Sequence, residues 1–134
     1  GGADTVYGGQ DADTVSAGDG LDLVYGNLGN DTLSGAADAD TIYGGQDNDT
    51  IYGGSENDVL FGNLGSDIFL TNYISDGGQD RIYGFEIGVD FIDKTNDSAP
   101  TYGYVDDAFL VDFGRYGSFL LVGVNPEDPS ALFL

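Results

Sequence analysis

The residues of this chain that could carry out chemistry are aspartates that recur every nine residues through its first half. When residues 8–70 are written in units of nine, with residues 1–7 completing an earlier unit, position six is always Asp. The members of this series are Asp4, Asp13, Asp22, Asp31, Asp40, Asp49, Asp58 and Asp67. Repeated carboxylates can hold cations, or can act in pairs as general acid and base. Because the chain has no His and no Cys, imidazole and thiolate chemistry is excluded, and the regular period favours cation binding over catalysis.

The spacing divides these aspartates into two rows. Two units form one coil, so every second aspartate falls on the same side of a stack of coils. One row, which we call the Asp40 edge, contains Asp4, Asp22, Asp40 and Asp58. The other row, the Asp31 edge, contains Asp13, Asp31, Asp49 and Asp67. Neighbouring carboxylates in a row would lie about 4.7–4.9 Å apart and would repel each other unless a cation lay between them. An all-oxygen site of this kind suits Ca²⁺ better than Mg²⁺ or Zn²⁺.

The residues around each aspartate predict the element that positions it. Position eight is apolar in every unit, and positions seven to nine carry strand-forming residues such as Thr-Val-Tyr. The preceding six positions are rich in Gly, Asn and Asp, which tolerate tight turns. Each unit therefore predicts a turn followed by a three-residue strand. Stacked coils predict an all-β fold, a parallel β-roll (a β-solenoid with two nine-residue units per coil) whose core is one layer of position-eight side chains.

The charge of the chain limits its partners. Three Lys and Arg residues against 24 Asp and Glu residues give a net charge of −21. Such a polyanion does not bind nucleic acid or an anionic membrane surface, both of which require basic residues. The aromatic content of 13% is too high for a disordered acidic tail, so a fold that needs cations is favoured. The start at Gly1-Gly2 without Met indicates a fragment of a longer protein.

The units resemble a known repeat. The pattern G-G-x-G-x-D-x-U-x over residues 1–70 is similar to that of the repeats-in-toxin (RTX) family. The resemblance implies a right-handed parallel β-roll with Ca²⁺ between turns on successive coils. Each ion would take the carbonyls of positions two and four and the Asp of one turn. The carbonyls of positions one and three and the Asp of the turn two units later would complete it.

Carried onto this chain, the resemblance implies six ions, which would change the net charge from −21 to −9. The ion of Asp13 and Asp31 would use the carbonyls of Gly9, Asp11, Gly26 and Leu28. The carbonyls implied for the other five pairs are Gly2, Ala17 and Asp19 (Asp4 with Asp22); Gly18, Gly20, Gly35 and Ala37 (Asp22 with Asp40); Asn27, Gly29, Gly44 and Gln46 (Asp31 with Asp49); Ala36, Asp38, Gly53 and Ser55 (Asp40 with Asp58); and Gly45, Asp47, Gly62 and Leu64 (Asp49 with Asp67).

Two features depart from a simple series. Position four, usually Gly in the family, is acidic at Asp11, Asp38, Asp47 and Glu56. Asp tolerates the left-handed region, whereas Glu56 is the least suited to it. These carboxylates either reinforce the field at the ions or are solvated turn residues. Asp76 lies nine residues after Asp67 and either completes a seventh site with Asp58 or is a loop residue.

The outward residues of the first sheet predict an aromatic stripe formed by Tyr7, Tyr25, Tyr43 and Phe61. An exposed stripe can bind a polysaccharide or a partner protein. It can equally be cross-strand stacking that stabilises a thin roll.

The period fails after residue 70, and residues 71–134 predict a capping segment with longer strands near 80–85, 88–93, 108–113 and 118–124. The segment also resembles the element found after the repeats in proteins exported by type I secretion. The matching positions are Asp80, Ile82, Phe85, Gly88, Asp90, Ile92 and Asp93. The resemblance implies an export signal and the secretion machinery as a partner; the alternative is a cap alone.

These observations predict a calcium-binding structural module rather than an enzyme. We expect residues 1–70 to fold on Ca²⁺ binding after secretion, as the C-terminal part of a larger bacterial extracellular or cell-surface protein. One alternative is a module that binds polysaccharide or a surface layer through the Tyr stripe. Another is an accessory domain of a secreted protease, lipase or alginate epimerase.

Overall fold

The computed structural model describes residues 1–70, 78–93, 100–106, 108–114, 117–127 and 129–133. Its strands are β1 Thr5–Gly9, β2 Thr14–Asp19, β3 Leu23–Leu28, β4 Thr32–Ala37, β5 Thr41–Gln46, β6 Thr50–Gly54, β7 Val59–Leu64, β8 Ile68–Leu70, β9 Gln79–Tyr83, β10 Phe91–Asp93, β11 Thr101–Val105, β12 Ala108–Asp112 and β13 Ser118–Val122. A 3₁₀ turn, Pro129–Leu132, comes after the last strand. No helix in the described part of the chain is long and apolar enough to span a membrane.

The repeat region forms the predicted parallel β-solenoid. Odd-numbered strands stack in one sheet, β1-β3-β5-β7, and even-numbered strands in the other, β2-β4-β6-β8. Each strand pairs in parallel with the strand two units later, as Val24 pairs with Ile42 and Leu33 with Ile51. The two-unit coil and the assignment of aspartates to two edges are therefore confirmed.

The strands are longer than the sequence pattern predicts. Strands β1–β7 have five or six residues rather than three. Pairing stops at position one and resumes at position two: Tyr25 pairs with Tyr43 and Asn27 with Gly45, but no pairing joins Gly26 and Gly44. The same omission recurs in the other repeat ladders that reach position two. The strands thus continue into the turns, with a local break where the backbone approaches the aspartate.

The core is the predicted single layer of position-eight residues. Its fully buried members in the repeats are Val24, Leu33, Ile42, Ile51, Leu60 and Phe69. Val15, from the first full unit, is only partly buried, because a coil gains full burial only when it has a neighbour on both sides.

The C-terminal segment continues both stacks. Strand β9 pairs in parallel with β7, and β10 with β8. Strands β13, β12 and β11 then extend the first sheet. The pairing of β13 with β12 and that of β12 with β11 are both antiparallel. Ile82 and Ile92 are fully buried in the same hydrophobic cluster as the repeat residues. The C-terminal segment is therefore continuous with the last coil, and it contains a strand, β11, that the sequence pattern did not predict.

Candidate metal centres

A ladder of hydrogen bonds joins each aspartate to the next one on its edge. The backbone N–H of one aspartate donates to Oδ1 of the aspartate two units later. For example, Asp22 N donates to Asp40 Oδ1 at 2.8 Å, and Asp31 N to Asp49 Oδ1 at 2.9 Å. The remaining repeat pairs have distances of 2.8–2.9 Å. The bonds fix each carboxylate in the gap between two successive turns.

The second oxygen of these carboxylates has no donor. Among the described residues, six buried carboxylate oxygens have no hydrogen-bond partner: Oδ2 of Asp22, Asp31, Asp40, Asp49, Asp58 and Asp67. Each of these residues is at most 3% exposed. A buried carboxylate oxygen without a partner is costly, and a cation bound beside this row of atoms would offset that cost.

Backbone carbonyls converge on the same places. A Cβ built on Gly35 would collide with both Asp40 Oδ2 and Gly53 O, and one built on Gly26 would collide with Asp31 Oδ2 and Gly44 O. Position one thus brings a carboxylate oxygen of one turn near the position-one carbonyl of the next turn. Because glycine has no side chain, this space stays open. The strands do not pair at position one, so the position-one carbonyl takes no part in the pairing between strands.

The left-handed backbone at positions two and four turns further carbonyls toward the next coil. A Cβ on Gly45 would collide with Asn27 O, and one on Gly65 with Asp47 O. Position two has a positive φ in every complete unit, and this series consists of Gly9, Gly18, Asn27, Ala36, Gly45, Gly54 and Asn63. The carbonyls of positions two and four of one turn therefore face the following turn.

Two position-three carbonyls on the Asp40 edge face the opposite way. The carbonyls of Asp19 and Ala37 accept hydrogen bonds from the N–H groups of Gly2 and Gly20 on the preceding coil. The atoms available to a metal ion between two turns are therefore all oxygens. They include at least one carboxylate oxygen that lacks a hydrogen-bond partner. These residues fit Ca²⁺, which takes six to eight oxygens in a flexible geometry.

Burial disfavours ionisation of the ladder carboxylates in the absence of a cation. It raises the pKa of Asp40 to about 6 and that of Asp49 to about 7, with the neighbouring aspartates on the same edge adding to the rise. The pKa of Asp58 rises to about 7 and that of Asp67 to about 6, also mainly by burial. The backbone N–H donors oppose these shifts only in part.

The acidic residues at position four fit the turns. Asp38, Asp47 and Glu56 adopt φ values of 73–74°, so Glu56 takes the same conformation as the two aspartates. Asp11, in contrast, does not have a positive φ. The charges of Asp38, Asp47 and Glu56 contribute to raising the pKa of the ladder aspartate two residues later, so these exposed side chains add to the negative field on the two edges.

Two cap residues that the site prediction missed continue the ladder. Asp58 N donates to Asp80 Oδ1 and Asp67 N to Asp90 Oδ1, both at 3.0 Å. Burial and the charge of Asp58 raise the pKa of Asp80 to about 8. The intervals are 22 and 23 residues, so a search at the two-unit period misses them. The sequence signal that could have identified Asp80 and Asp90 is an apolar residue two positions after each Asp, as at Ile82 and Ile92. Asp76, the predicted seventh ligand, lies outside the described residues.

The predicted aromatic stripe is a column of stacked rings. Ring centroids of Tyr7, Tyr25, Tyr43, Phe61 and Tyr83 follow one another at 4.5–5.2 Å with interplanar angles of 7–18°. Each inner ring has both faces against its neighbours, so the column presents ring edges to solvent. Sugars stack on ring faces, and this arrangement supports the interpretation of the stripe as cross-strand stacking.

Two solved structures are similar to this chain. One is extracellular lipase LipA from Serratia marcescens, with 26% identity over 92% of this chain and a TM-score of 0.49. Another is the AlgE6R3 subunit from the Azotobacter vinelandii mannuronan C5-epimerase, with 23% identity over 91% of this chain and a TM-score of 0.38. This chain spans 19% of that lipase and 71% of that epimerase subunit. No curated protein sequence gives a significant match.

A family model identifies the repeats directly. The model for the RTX calcium-binding nonapeptide repeat (4 copies) matches residues 1–33 and 34–69, which together make more than half of the chain. The matched residues are those that form the two aspartate edges. The chain belongs to the RTX family of calcium-binding nonapeptide-repeat proteins.

Proposed function

We propose that this chain is a calcium-dependent folding module in which Ca²⁺ ions lie between successive turns on both edges. The row of buried Oδ2 atoms without a partner carries the proposal. Within the repeats, the ligands are the aspartates and carbonyls that the family resemblance implies. This part of the proposal comprises six ions, one for each pair of repeat aspartates two units apart.

The proposal extends to two further ions at the junction of roll and cap. Oδ2 of Asp31, Asp40 and Asp49 lies beside the position-one glycine of its own unit, as Asp40 Oδ2 lies beside Gly35, where the carbonyl of the next turn also approaches. Oδ2 of Asp58 and of Asp67 lies in the equivalent place, beside Gly53 and Gly62. The next carboxylates on these edges are Asp80 and Asp90. Eight ions would change the net charge from −21 to −5.

Folding is coupled to binding in this proposal. The turns are not preformed sites in an unfolded chain, so the free energy of ion binding becomes free energy of folding. The thin core and the repulsion among 24 acidic residues leave the metal-free chain unstable at neutral pH. We propose that residues 1–70 bind the ions and that residues 71–134 cap the roll and carry the export signal.

The setting that this coupling favours is extracellular. A chain that remains unfolded at low calcium can pass through a secretion channel and then fold where calcium is abundant. The match of the cap to the element found after the repeats in type I secretion substrates supports this proposal.

A structural role is favoured over catalysis because of how the carboxylates are held. In each interior repeat aspartate, one oxygen accepts a backbone N–H and the other is buried. A general acid or base must instead reach a substrate. We therefore propose these residues as ligands rather than as a catalytic pair.

Calcium removal tests the proposal. The metal-free chain at pH 7.5 should give a far-ultraviolet circular dichroism spectrum of an unfolded chain, and millimolar Ca²⁺ should restore a β-sheet spectrum. Mg²⁺ at the same concentration is the matched control and should not. Native mass spectrometry of the folded chain should count about eight bound ions, as the aspartate pairs require. A β-sheet spectrum that chelation leaves unchanged would contradict the proposal.

A further inference from the structure

We propose that strand β11 is an interface through which two copies of the calcium-bound module pair as a symmetric dimer. The two β11 strands would run antiparallel to each other and be centred on Gly103. The inference requires the folded module and so rests on the proposed function. It adds a partner, which is a second copy of this chain.

Strand β11 is an exposed edge. In the described part of the chain it is the end strand of the first sheet, and its sequence, TYGYV, has no charged side chain. Three of the nine exposed large hydrophobic residues in that part lie here: Tyr102 at 45%, Tyr104 at 61% and Val105 at 42%. Both tyrosine rings contact Phe109, which holds them in place. An uncharged, exposed edge strand of this kind is a template for pairing with another chain.

The backbone of β11 has hydrogen-bonding groups available for a further strand. Strands β11 and β12 form an antiparallel hairpin in which Val105 pairs with Ala108 across a two-residue connection. The closing pair of such a hairpin is hydrogen-bonded, and hydrogen-bonded pairs alternate with other pairs along the strands. Gly103 and Val105 therefore direct their N–H and C=O groups toward β12, whereas Tyr102 and Tyr104 direct theirs away from it.

The sequence of β11 suits pairing with itself. In an antiparallel pairing centred on Gly103, Tyr102 lies opposite the second copy's Tyr104, and Thr101 lies opposite its Val105. Each tyrosine then meets the outward N–H and C=O groups of the other, and the two pairs would form about four hydrogen bonds. A twofold dimer requires this reciprocity between the two sides of its interface.

Charge favours contact at this edge over the other sheet ends. Strand β11 is preceded by Pro100 and followed by Asp106, so antiparallel pairing sets each carboxylate opposite an uncharged residue. Strand β1 follows Asp4 directly, and Asp13 Oδ2 would lie 3.3 Å from a Cβ on Gly8 within it. Two copies meeting at β1 would therefore bring carboxylates together. Strand β10, which ends the second sheet, is three residues long and includes Asp93, and both features oppose pairing.

Sedimentation velocity of the full chain in millimolar Ca²⁺ tests for the dimer. The interface is one pair of five-residue strands, which is smaller than the interfaces of stable dimers. The sedimentation coefficient should therefore rise from the monomer value toward the dimer value as the protein concentration increases from micromolar to millimolar. Circular dichroism of the same samples reports the fold. A chelator should remove both the β-sheet signal and the dimer.

A single introduced thiol tests the register, because the chain has no cysteine. Gly103→Cys places thiols at the twofold axis, where the two Cα atoms would be about 4.5 Å apart, within disulfide range. A Cβ on Gly103 meets nothing within 4 Å, so the variant should fold. Val105→Cys is the matched control on the same face of the strand, but its thiol would face the second copy's Thr101. Under mild oxidation in calcium, the disulfide-linked dimer should form roughly tenfold faster from Gly103→Cys.

A pair of lysine variants tests the contribution of the tyrosines. A lysine on an edge strand opposes pairing, and Tyr104→Lys acts at two places in a symmetric dimer. It should raise the dissociation constant of the dimer roughly tenfold while leaving the β-sheet signal in place. Tyr7→Lys changes a tyrosine of similar exposure, 65%, on strand β1, and should leave the dissociation constant unchanged.

The outcomes separate this inference from the proposed function. A chain that stays monomeric at millimolar concentration with its calcium-bound β-sheet signal intact would overturn the inference alone. The edge would then be covered by another protein or by another part of a longer chain. Equal cross-linking through the two cysteines, or equal effects of the two lysines, would overturn β11 as the interface. The absence of calcium-dependent folding would overturn the proposed function and this inference together.

Discussion

At the scale of single residues, the repeat aspartates have one satisfied and one unsatisfied oxygen. Oδ1 accepts the N–H of the preceding turn, and Oδ2 is buried without a donor. The hydrogen bond orients the carboxylate, and the free oxygen supplies charge to the gap between turns. The two oxygens therefore have different roles, and an amide could replace only the first.

Asp49→Asn tests this division of roles. Asn keeps an acceptor for the N–H of Asp31 but removes the charge from the two gaps on either side. We expect the folded variant to bind two fewer ions at a calcium concentration that saturates the unmodified chain, as counted by native mass spectrometry. Asp47→Asn removes the same charge from an exposed neighbour and should lose none. Equal losses in the two variants would mean that only the overall charge matters.

Ala36→Gly tests the left-handed turn. Ala36 has φ 86°, a conformation that is strained for any residue with a Cβ. Glycine should stabilise the calcium-bound fold by about 1 kcal/mol, because the relief of strain exceeds the extra entropy lost by glycine. Urea unfolding at fixed free calcium measures the change. Ala17→Gly is the matched control because Ala17 does not have a positive φ. A gain at Ala17 as large as that at Ala36 would contradict the account.

At the scale of elements, the turns determine how closely one coil lies on the next. Gly78, immediately before β9, is the point where the cap meets the last coil. A Cβ on Gly78 would collide with Glu56 O and lie 2.8 Å from Asn57 Oδ1. Glycine therefore allows β9 to pair with β7 and places Asp80 one step beyond Asp58.

Gly78→Ala should separate the cap from the roll. The clash is with backbone, so we expect a destabilisation of roughly 1–3 kcal/mol and the loss of the ion between Asp58 and Asp80. Gly103→Ala in β11 is the control, because a Cβ there meets nothing within 4 Å. Thermal unfolding and ion counting at the same calcium concentration compare the two. A stable Gly78→Ala variant with its full complement of ions would show that this contact does not set the position of the cap on the last coil.

The sequence alone predicted the repeat half of the fold well. The period of nine defined the coil, the two edges and the buried position-eight residues, because every unit has the same order of turn-forming, acidic and apolar residues. The cap was harder because its ladder residues, Asp80 and Asp90, come after insertions that change the interval to 22 and 23 residues. Strand β11 was missed as well; its residues are mostly exposed, so it lacks a clear alternation of buried and exposed positions.

At the scale of the whole molecule, burial of like charges opposes folding until a cation or a proton neutralises them. In the folded chain without metal, the pKa values of Asp40, Asp49, Asp58 and Asp67 lie at about 6–7, and that of Asp80 at about 8, against an ordinary value of 3.8. Folding without metal therefore takes up protons, and ion binding releases them.

The raised pKa values set the sign of the pH dependence. Because the folded values exceed the unfolded ones, the stabilising contribution of these groups is full below pH 4 and is lost as the pH rises through about 6–8. We expect the calcium-free chain to gain β-sheet signal when the pH falls from 8 to 5, as measured by circular dichroism in metal-free buffer. At a fixed, limiting calcium concentration, the fraction of bound ion should decrease as the pH falls over the same range. A calcium-free chain that becomes less structured on acidification would contradict the assignment of the buried carboxylates.

The most direct test of the account is the position of the ions themselves. Crystals grown in millimolar Ca²⁺, with diffraction data collected at a wavelength where calcium scatters anomalously, should show a peak between each pair of successive aspartates on both edges. The last peaks should lie between Asp58 and Asp80 and between Asp67 and Asp90. An ordered roll with no anomalous peaks beside the buried Oδ2 atoms would contradict the central claim.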